Sequence, residues 1–91
     1  MDVLKLLKFK KPDAVILDIG MEMMDGITVL KAIKEDRQLS DIPVIMVSGD
    51  KSTETIEKCR RLGCVGYLTK PVTADKLHDV LEECFFSGRK H

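Results

Sequence analysis

The sequence predicts an α/β fold, a doubly wound parallel sheet, on two observations. Three short apolar runs rich in β-branched residues, Ala14 to Leu17, Val44 to Val47 and Val65 to Leu68, lack strict polar alternation and read as strands buried on both faces. Between them lie segments of helical period, with Ile27, Leu30 and Ile33 recurring at three-residue steps and Ile56, Cys59 and Leu62 doing the same. Strands joined by helical crossovers of this length run parallel, and such crossovers are right-handed in nearly all proteins. The expected order is βαβαβα, with helices on both sheet faces.

Each element has its own signal. Val3, Leu4, Leu6 and Leu7 make one or two apolar helical turns, and Lys5, Lys8, Lys10 and Lys11 cover the exposed side. Pro12, Pro43 and Pro71 each stand beside a strand or before a helix, where a missing N–H does least damage. Gly26, Gly49, Gly63 and Gly66 mark the other bends. Asp25 is expected to cap the helix that follows it, and Asp50 to be a loop or cap residue. Thr73 is placed to cap a last helix, with Asp75 and Asp79 toward its front and an apolar stripe of Leu77, Val80, Leu81, Cys84 and Phe85. Residues 87–91 read as a short solvated tail.

Ninety-one residues make one small domain. With 15 basic and 15 acidic side chains the chain has no basic excess, so neither a nucleic acid nor a membrane is expected as a direct partner. No apolar stretch approaches the roughly 20 residues needed to span a bilayer, and the chain reads as cytoplasmic. Cys59, Cys64 and Cys84 show no C-x-x-C spacing, so buried or half-buried thiols are expected, with Cys64 in the core. Met21, Met23 and Met24 read as gap fillers around a loop, and His78 and His91 as surface residues.

In an open parallel sheet the working residues gather at the carboxyl ends of the strands. Those ends carry Asp18, Ser48 and Lys70, so a carboxylate, a hydroxyl and an amine converge from three consecutive strands. An aspartate so placed can attack phosphorus and carry an acyl phosphate. Lys70 would supply positive charge and Ser48 a hydroxyl donor to the phosphoryl oxygens, and the backbone at Gly49 can come close for want of a Cβ.

The run Leu17-Asp18-Ile19-Gly20-Met21-Glu22-Met23-Met24-Asp25-Gly26, then Pro43-Val44-Ile45-Met46-Val47-Ser48-Gly49, then Gly66-Tyr67-Leu68-Thr69-Lys70-Pro71, resembles the receiver domain of two-component response regulators. The resemblance implies the flavodoxin-like receiver fold and a signalling module, not an enzyme. It implies Asp18 as phosphoacceptor, Ser48 as the hydroxyl that follows the phosphoryl group, Lys70 as its charged partner and Tyr67 as an aromatic switch residue. Asp18 and the main-chain carbonyl of Gly20 would be ligands to magnesium, and Lys70-Pro71 matches a lysine-proline pair often joined by a cis bond. A histidine kinase or phosphotransfer protein would supply the phosphate, and an output domain or protein would read the result. Glu22 departs from the proline that receivers usually carry there, which implies a more flexible loop. Haloacid-dehalogenase-like phosphatases share the aspartyl-phosphate logic but carry a second aspartate two residues on, where this sequence has Gly20.

The family begins with a strand, a helix and a second strand, and its first strand ends in an acidic pair. The sequence is expected to begin partway through the second helix, so residues 1–91 form a partial receiver domain. Magnesium takes six oxygen ligands, and Asp18 with the Gly20 carbonyl would hold it weakly. The strand carrying Asp18 would then expose an edge without charge or proline at Ala14, Val15, Ile16 and Leu17, a template for homo-oligomer formation. The alternative function is a phosphorylation-incompetent truncated receiver that serves as a dimerisation module.

Overall fold

A computed structural model describes residues 3–19 and 23–86. Its elements run α1 (Val3–Lys10), β1 (Val15–Asp18), α2 (Met23–Glu35), β2 (Val44–Ser48), α3 (Thr53–Arg61), β3 (Gly66–Thr69) and α4 (Ala74–Phe86). The three strands are parallel in the order β1-β2-β3, with Val15 opposite Val44 and Ile45 opposite Gly66. The alternation of strand and helix is the one expected, and the strands begin or end within one residue of the apolar runs.

Side-chain alternation along the strands divides the core. On one face Val44 and Met46 pack with Ile27, Leu30 and Ile33 of α2 and with Cys59 of α3, flanked by Leu4 and Leu7 of α1. On the other, Ile45, Val47 and Leu68 meet Leu77, Val80 and Leu81 of α4. Only β2 is buried along its whole length. β1 alternates between half-buried and exposed, and Ile16 is 46% exposed, so the expectation of burial on both faces fails there. The reason is topological: β1 is an edge strand whose one neighbour among the described residues is β2.

Local chemistry sets the helix ends. Ser52 caps α3 by accepting the Thr55 N–H, and Thr73 caps α4 by accepting the Lys76 N–H at 3.2 Å. At the exit of α3 the Cys64 N–H donates to Cys59 O (3.1 Å) and the Gly63 N–H to Arg60 O (3.0 Å), a Schellman pair. Gly63 takes φ +110°, which that turn needs and a side chain resists. The motif draws residues 59 and 64 together, and both cysteines are buried, as expected of Cys64. Burial pushes both thiols above the ordinary range. Past the turn, Val65 is exposed and lies outside β3, a correction to the predicted strand start.

Asp25 is also corrected. It is the third residue of α2, inside the helix and not its cap, because the helix already begins at Met23, a better helix former than aspartate. Gly20, Met21 and Glu22, the side chains of residues 23–25, and the tail at 87–91 with His91 lie outside the described residues. His78 is on the surface, its imidazole 3.3 Å from Glu82. Lys5 and Lys10 are exposed, whereas Lys8 reaches Asp36 at 2.9 Å and ties α1 to the end of α2.

Candidate functional site

Asp18 is the last residue of β1, Ser48 the last of β2, and Lys70 follows β3 directly. Asp18 stands opposite Val47 and Ser48 opposite Thr69, so the three positions step across one edge of the sheet. The Lys70 N–H donates to Ser48 O at 2.8 Å, which fixes the chain where it leaves β3. The Lys70–Pro71 peptide is cis. From there the Lys70 side chain crosses the end of β2, and Nζ meets Asp18 Oδ1 at 2.8 Å. Two strand spacings, about 9.6 Å, are thus bridged by one long cation and one carboxylate. The pair is open to water, 40% and 63% exposed, so its value lies in placing charge and not in stability.

Ser48 ends the strand between them and is 1% exposed. Its Oγ accepts the Asp50 N–H at 3.0 Å, which leaves the hydroxyl proton to donate. The Tyr67 hydroxyl donates to the Asp50 carbonyl at 2.8 Å. Burial raises the Tyr67 phenol above its ordinary range, opposed by a hydrogen bond from the Ser48 side chain. Tyr67 therefore packs as an aromatic of a buried strand and finds a partner for its hydroxyl, as expected.

Asp50 is the residue that sequence reasoning undervalued. Its Oδ1 accepts the Ser52 N–H at 2.9 Å and its Oδ2 accepts the Thr55 hydroxyl at 2.9 Å. The Ser52 N–H, first, and the Ser52 and Thr55 side chains hold its carboxyl below the ordinary aspartate range. Asp50 thus organises the loop from β2 to α3 while its backbone engages both Ser48 and Tyr67. An aspartate two residues before a helix-capping serine is an Asx-turn signal in the sequence. A Cβ at Gly49 would meet nothing within 4 Å, so the backbone there borders open space.

Behind Asp18, α2 packs tightly. A Cβ on Gly26 would stand 2.5 Å from Ile19 Cγ1, so this helix can approach the residue after Asp18 only through a glycine.

Among the described residues no group of three or more His, Cys, Asp or Glu side chains could hold a metal ion. Asp18 shares Oδ1 with Lys70, and both carboxylate oxygens of Asp50 are engaged in its loop. These donors do not make a magnesium site on their own, since magnesium needs near-octahedral oxygen ligation. Gly20, the other expected ligand, lies outside the described residues.

A carboxylate at the mouth of a parallel sheet, touched by a lysine from two strands away, with a buried serine ending the strand between them, is the arrangement the sequence motifs imply. The family described as response regulator receiver domain matches residues 1–82. The chain belongs to that family. This receiver chain is 39% identical over 80 residues to the probable C4-dicarboxylate response regulator DctR of Bacillus subtilis (strain 168), covering 88% of the chain and 34% of that protein. It spans about a third of the length of that curated relative. Among solved structures, the receiver domain of NtrX from Brucella abortus is 34% identical with a TM-score of 0.74, over 88% of this chain and 67% of that one. The chemotaxis protein CheY4 of Vibrio cholerae is 26% identical with a TM-score of 0.76, over the same shares of each chain. The flavodoxin-like receiver fold and a place in two-component signalling follow for this receiver chain. The family is one of signalling modules, not typically catalytic, whose members generally bind magnesium at an acidic site. No helix among the described residues is long and apolar enough to cross a membrane.

Proposed function

We propose that this receiver chain is a phosphoacceptor: Asp18 takes a phosphoryl group from a histidine kinase or phosphotransfer protein, and the change is read by an output domain or protein. The observation that carries the reading is the contact of Lys70 Nζ with Asp18 Oδ1 across the end of β2. In the transfer an Asp18 oxygen forms a bond to phosphorus while the donor's bond to that phosphorus breaks, leaving an acyl phosphate. The chain's own residues supply electrostatics. Lys70 sits where negative charge grows, and Ser48, at the end of the strand between, offers a hydroxyl donor.

Phosphorylation adds a charge of about −1.5 to −2. That charge draws Lys70 and Ser48 toward the new oxygens. Because Ser48 Oγ accepts the Asp50 N–H, Asp50 O accepts the Tyr67 hydroxyl, and the Ser48 side chain also bonds Tyr67 directly, a shift of Ser48 reaches Tyr67. Tyr67 is in this reading the switch residue, and the surface of β3 and α4 around it is the face that a partner senses. The response is a population shift, set by how far the added charge favours one arrangement.

Magnesium, when bound, would neutralise charge on the phosphoryl oxygens, with Asp18 and the Gly20 carbonyl among its ligands; binding by this chain alone is weak. The receiver chain works in the cytoplasm beside its kinase.

A second reading is favoured by the same carboxylate count: with no cluster of acids among the described residues, the chain serves as a phosphorylation-incompetent interaction module. Incubation with a small acyl phosphodonor and magnesium, followed by intact mass, separates the two. One phosphoryl adduct on the wild type and none on Asp18→Asn supports phosphoacceptance. An unmodified wild type overturns it.

A further inference from the structure

The turn that ends α3 brings two thiols together at the amino end of β3, whereas Asp18, Ser48 and Lys70 lie at the carboxyl ends of the strands. Cys59 and Cys64 are both free, and both side chains belong to the core cluster that holds Val44 and Met46 of β2. In a Schellman turn the two residues joined by the longer backbone bond also bring their side chains into contact. Here those residues are Cys59 and Cys64, with the Cys64 N–H on Cys59 O at 3.1 Å. A Cα lies about 2.4 Å from its own carbonyl oxygen and about 1.5 Å from its own nitrogen, so that bond keeps the two Cα atoms within about 7 Å, the reach of a disulfide. The thiols sense each other as well, since charge on Cys59 pushes Cys64 up.

We propose that Cys59 and Cys64 form a reversible disulfide, a modification site at the exit of α3 whose oxidant is a low-molecular-mass disulfide such as oxidised glutathione. Cys64 reacts first, because exposed Gly63 and Val65 flank it, whereas Cys59 is sealed in the core at 0% exposed. Its thiolate attacks one sulfur of the small disulfide, that S–S bond breaks, and a small thiolate leaves. Cys59 then gives up its proton and attacks the Cys64 sulfur of the mixed disulfide, expelling the second small thiolate. Two protein thiols lose two hydrogens, and the small disulfide becomes two thiols. Excess small thiol runs the same steps backwards, which suits a bond that reports on redox state.

The third cysteine does not compete. Cys84 belongs to α4, which packs on the opposite face of the sheet. Tyr67, three residues beyond Cys64, packs against the cluster that holds both thiols. Oxidation closes the two sulfurs to a bond of about 2.05 Å and so repacks the wall behind the tyrosine ring. Any effect on partner binding rests on the reading of Tyr67 as the switch residue; the disulfide itself does not.

The test treats the reduced full chain with oxidised glutathione at about pH 9, where thiolate is available, without phosphodonor. Free thiols are then alkylated, and intact mass is followed by trypsin digestion without reductant. The chain is expected to lose the mass of two hydrogens and to be alkylated at Cys84 alone. Trypsin cuts after Lys58, Arg60 and Arg61, so the bond would join the peptide of Cys59 to that of Cys64. Tyr67 is the one tyrosine and the chain has no tryptophan, so its emission should change on oxidation and return with dithiothreitol. Cys64→Ala should lose both signals and Cys84→Ala keep both. An unoxidised wild type overturns the proposal, as does a bond to Cys84, a bond between chains or a lasting glutathione adduct. A bond between Cys59 and Cys64 with unchanged emission overturns the link to Tyr67. Should Cys64→Ala unfold, the wild-type peptide map decides alone. With no phosphodonor present, failure here leaves the phosphoacceptor reading standing, and the reverse.

Discussion

The Tyr67 hydroxyl donates to the backbone carbonyl of Asp50 at 2.8 Å, and the N–H of the same Asp50 donates to Ser48 Oγ at 3.0 Å. One loop residue therefore holds the buried serine of the site with one end of its backbone and the aromatic ring of β3 with the other. Its carboxylate is spent on Ser52 and Thr55, which keeps the loop in shape.

Tyr67→Phe deletes the hydroxyl and leaves the ring. The account expects a loss of about 1 kcal/mol of stability, the usual net value of one hydrogen bond. It also expects partner binding to become insensitive to phosphorylation. Urea unfolding reads the first, and the partner's affinity with and without phosphodonor reads the second. Undiminished phosphorylation-dependent binding by the variant contradicts the switch role of Tyr67.

Lys70→Ala separates charge placement from stability. The ion pair with Asp18 is largely exposed, so unfolding free energy should change by less than about 1 kcal/mol. The rate of phosphoryl gain should fall about 100-fold, as when one preorganised charge donor is removed from a transition state. Stopped quench followed by intact mass measures the rate, and a wild-type rate contradicts the role given to Lys70.

Gly63→Ala tests the exit of α3. The residue sits at φ +110°, and its new Cβ would stand 3.1 Å from Lys34 Cγ. Lys34 cannot readily yield, because its Nζ donates to Ser40 O (3.1 Å) and Ile42 O (2.8 Å). A loss of about 1–3 kcal/mol is expected, the cost of a side chain in a disfavoured backbone region. The urea midpoint should drop at constant slope; an unchanged midpoint contradicts the turn.

Acid should weaken the fold through Asp36 and Asp50. Asp36 is held below the ordinary value of 3.8 by its hydrogen bond from Lys8 and then by the Gln38 N–H. Asp50 is held below 3.8 by the Ser52 N–H and then by the Ser52 and Thr55 side chains. A carboxylate depressed in the folded state binds protons more readily when unfolded. Its contribution is present above the ordinary value and is lost as pH falls through the folded one. Urea midpoints measured from about pH 5 down to pH 3 should fall less steeply in Asp50→Asn than in the wild type. Equal slopes contradict the assignment.

Much of this was legible in the sequence because buried strands and amphipathic helices leave a periodic trace. The β-branched runs located β1, β2 and β3 to within one residue, and the caps at Thr73 and the bend at Gly63 are local chemistry. The convergence of Asp18, Ser48 and Lys70 follows from parallel topology alone. What escaped depends on tertiary reach. Val65 has a strand's composition but lies on the way out of the Schellman turn, and Asp25 looks like a cap only if the helix starts after it. Asp50 looked like an ordinary loop acid, since its link to Tyr67 spans 17 residues and uses backbone atoms that carry no sequence signature. The contact of Lys70 with Asp18 across β2, by contrast, is the pairing that the resemblance implied.

The central claim is that the phosphoryl group resides on Asp18, and trapping by borohydride tests it most directly. Borohydride reduces an acyl phosphate but spares a free carboxylate, so a phosphorylated Asp18 becomes homoserine. After treatment with a small acyl phosphodonor and magnesium, peptide mass spectrometry should find homoserine at position 18 and nowhere else, and none without the donor. Homoserine at another aspartate, or unmodified Asp18 in a chain that remains folded, would contradict the account.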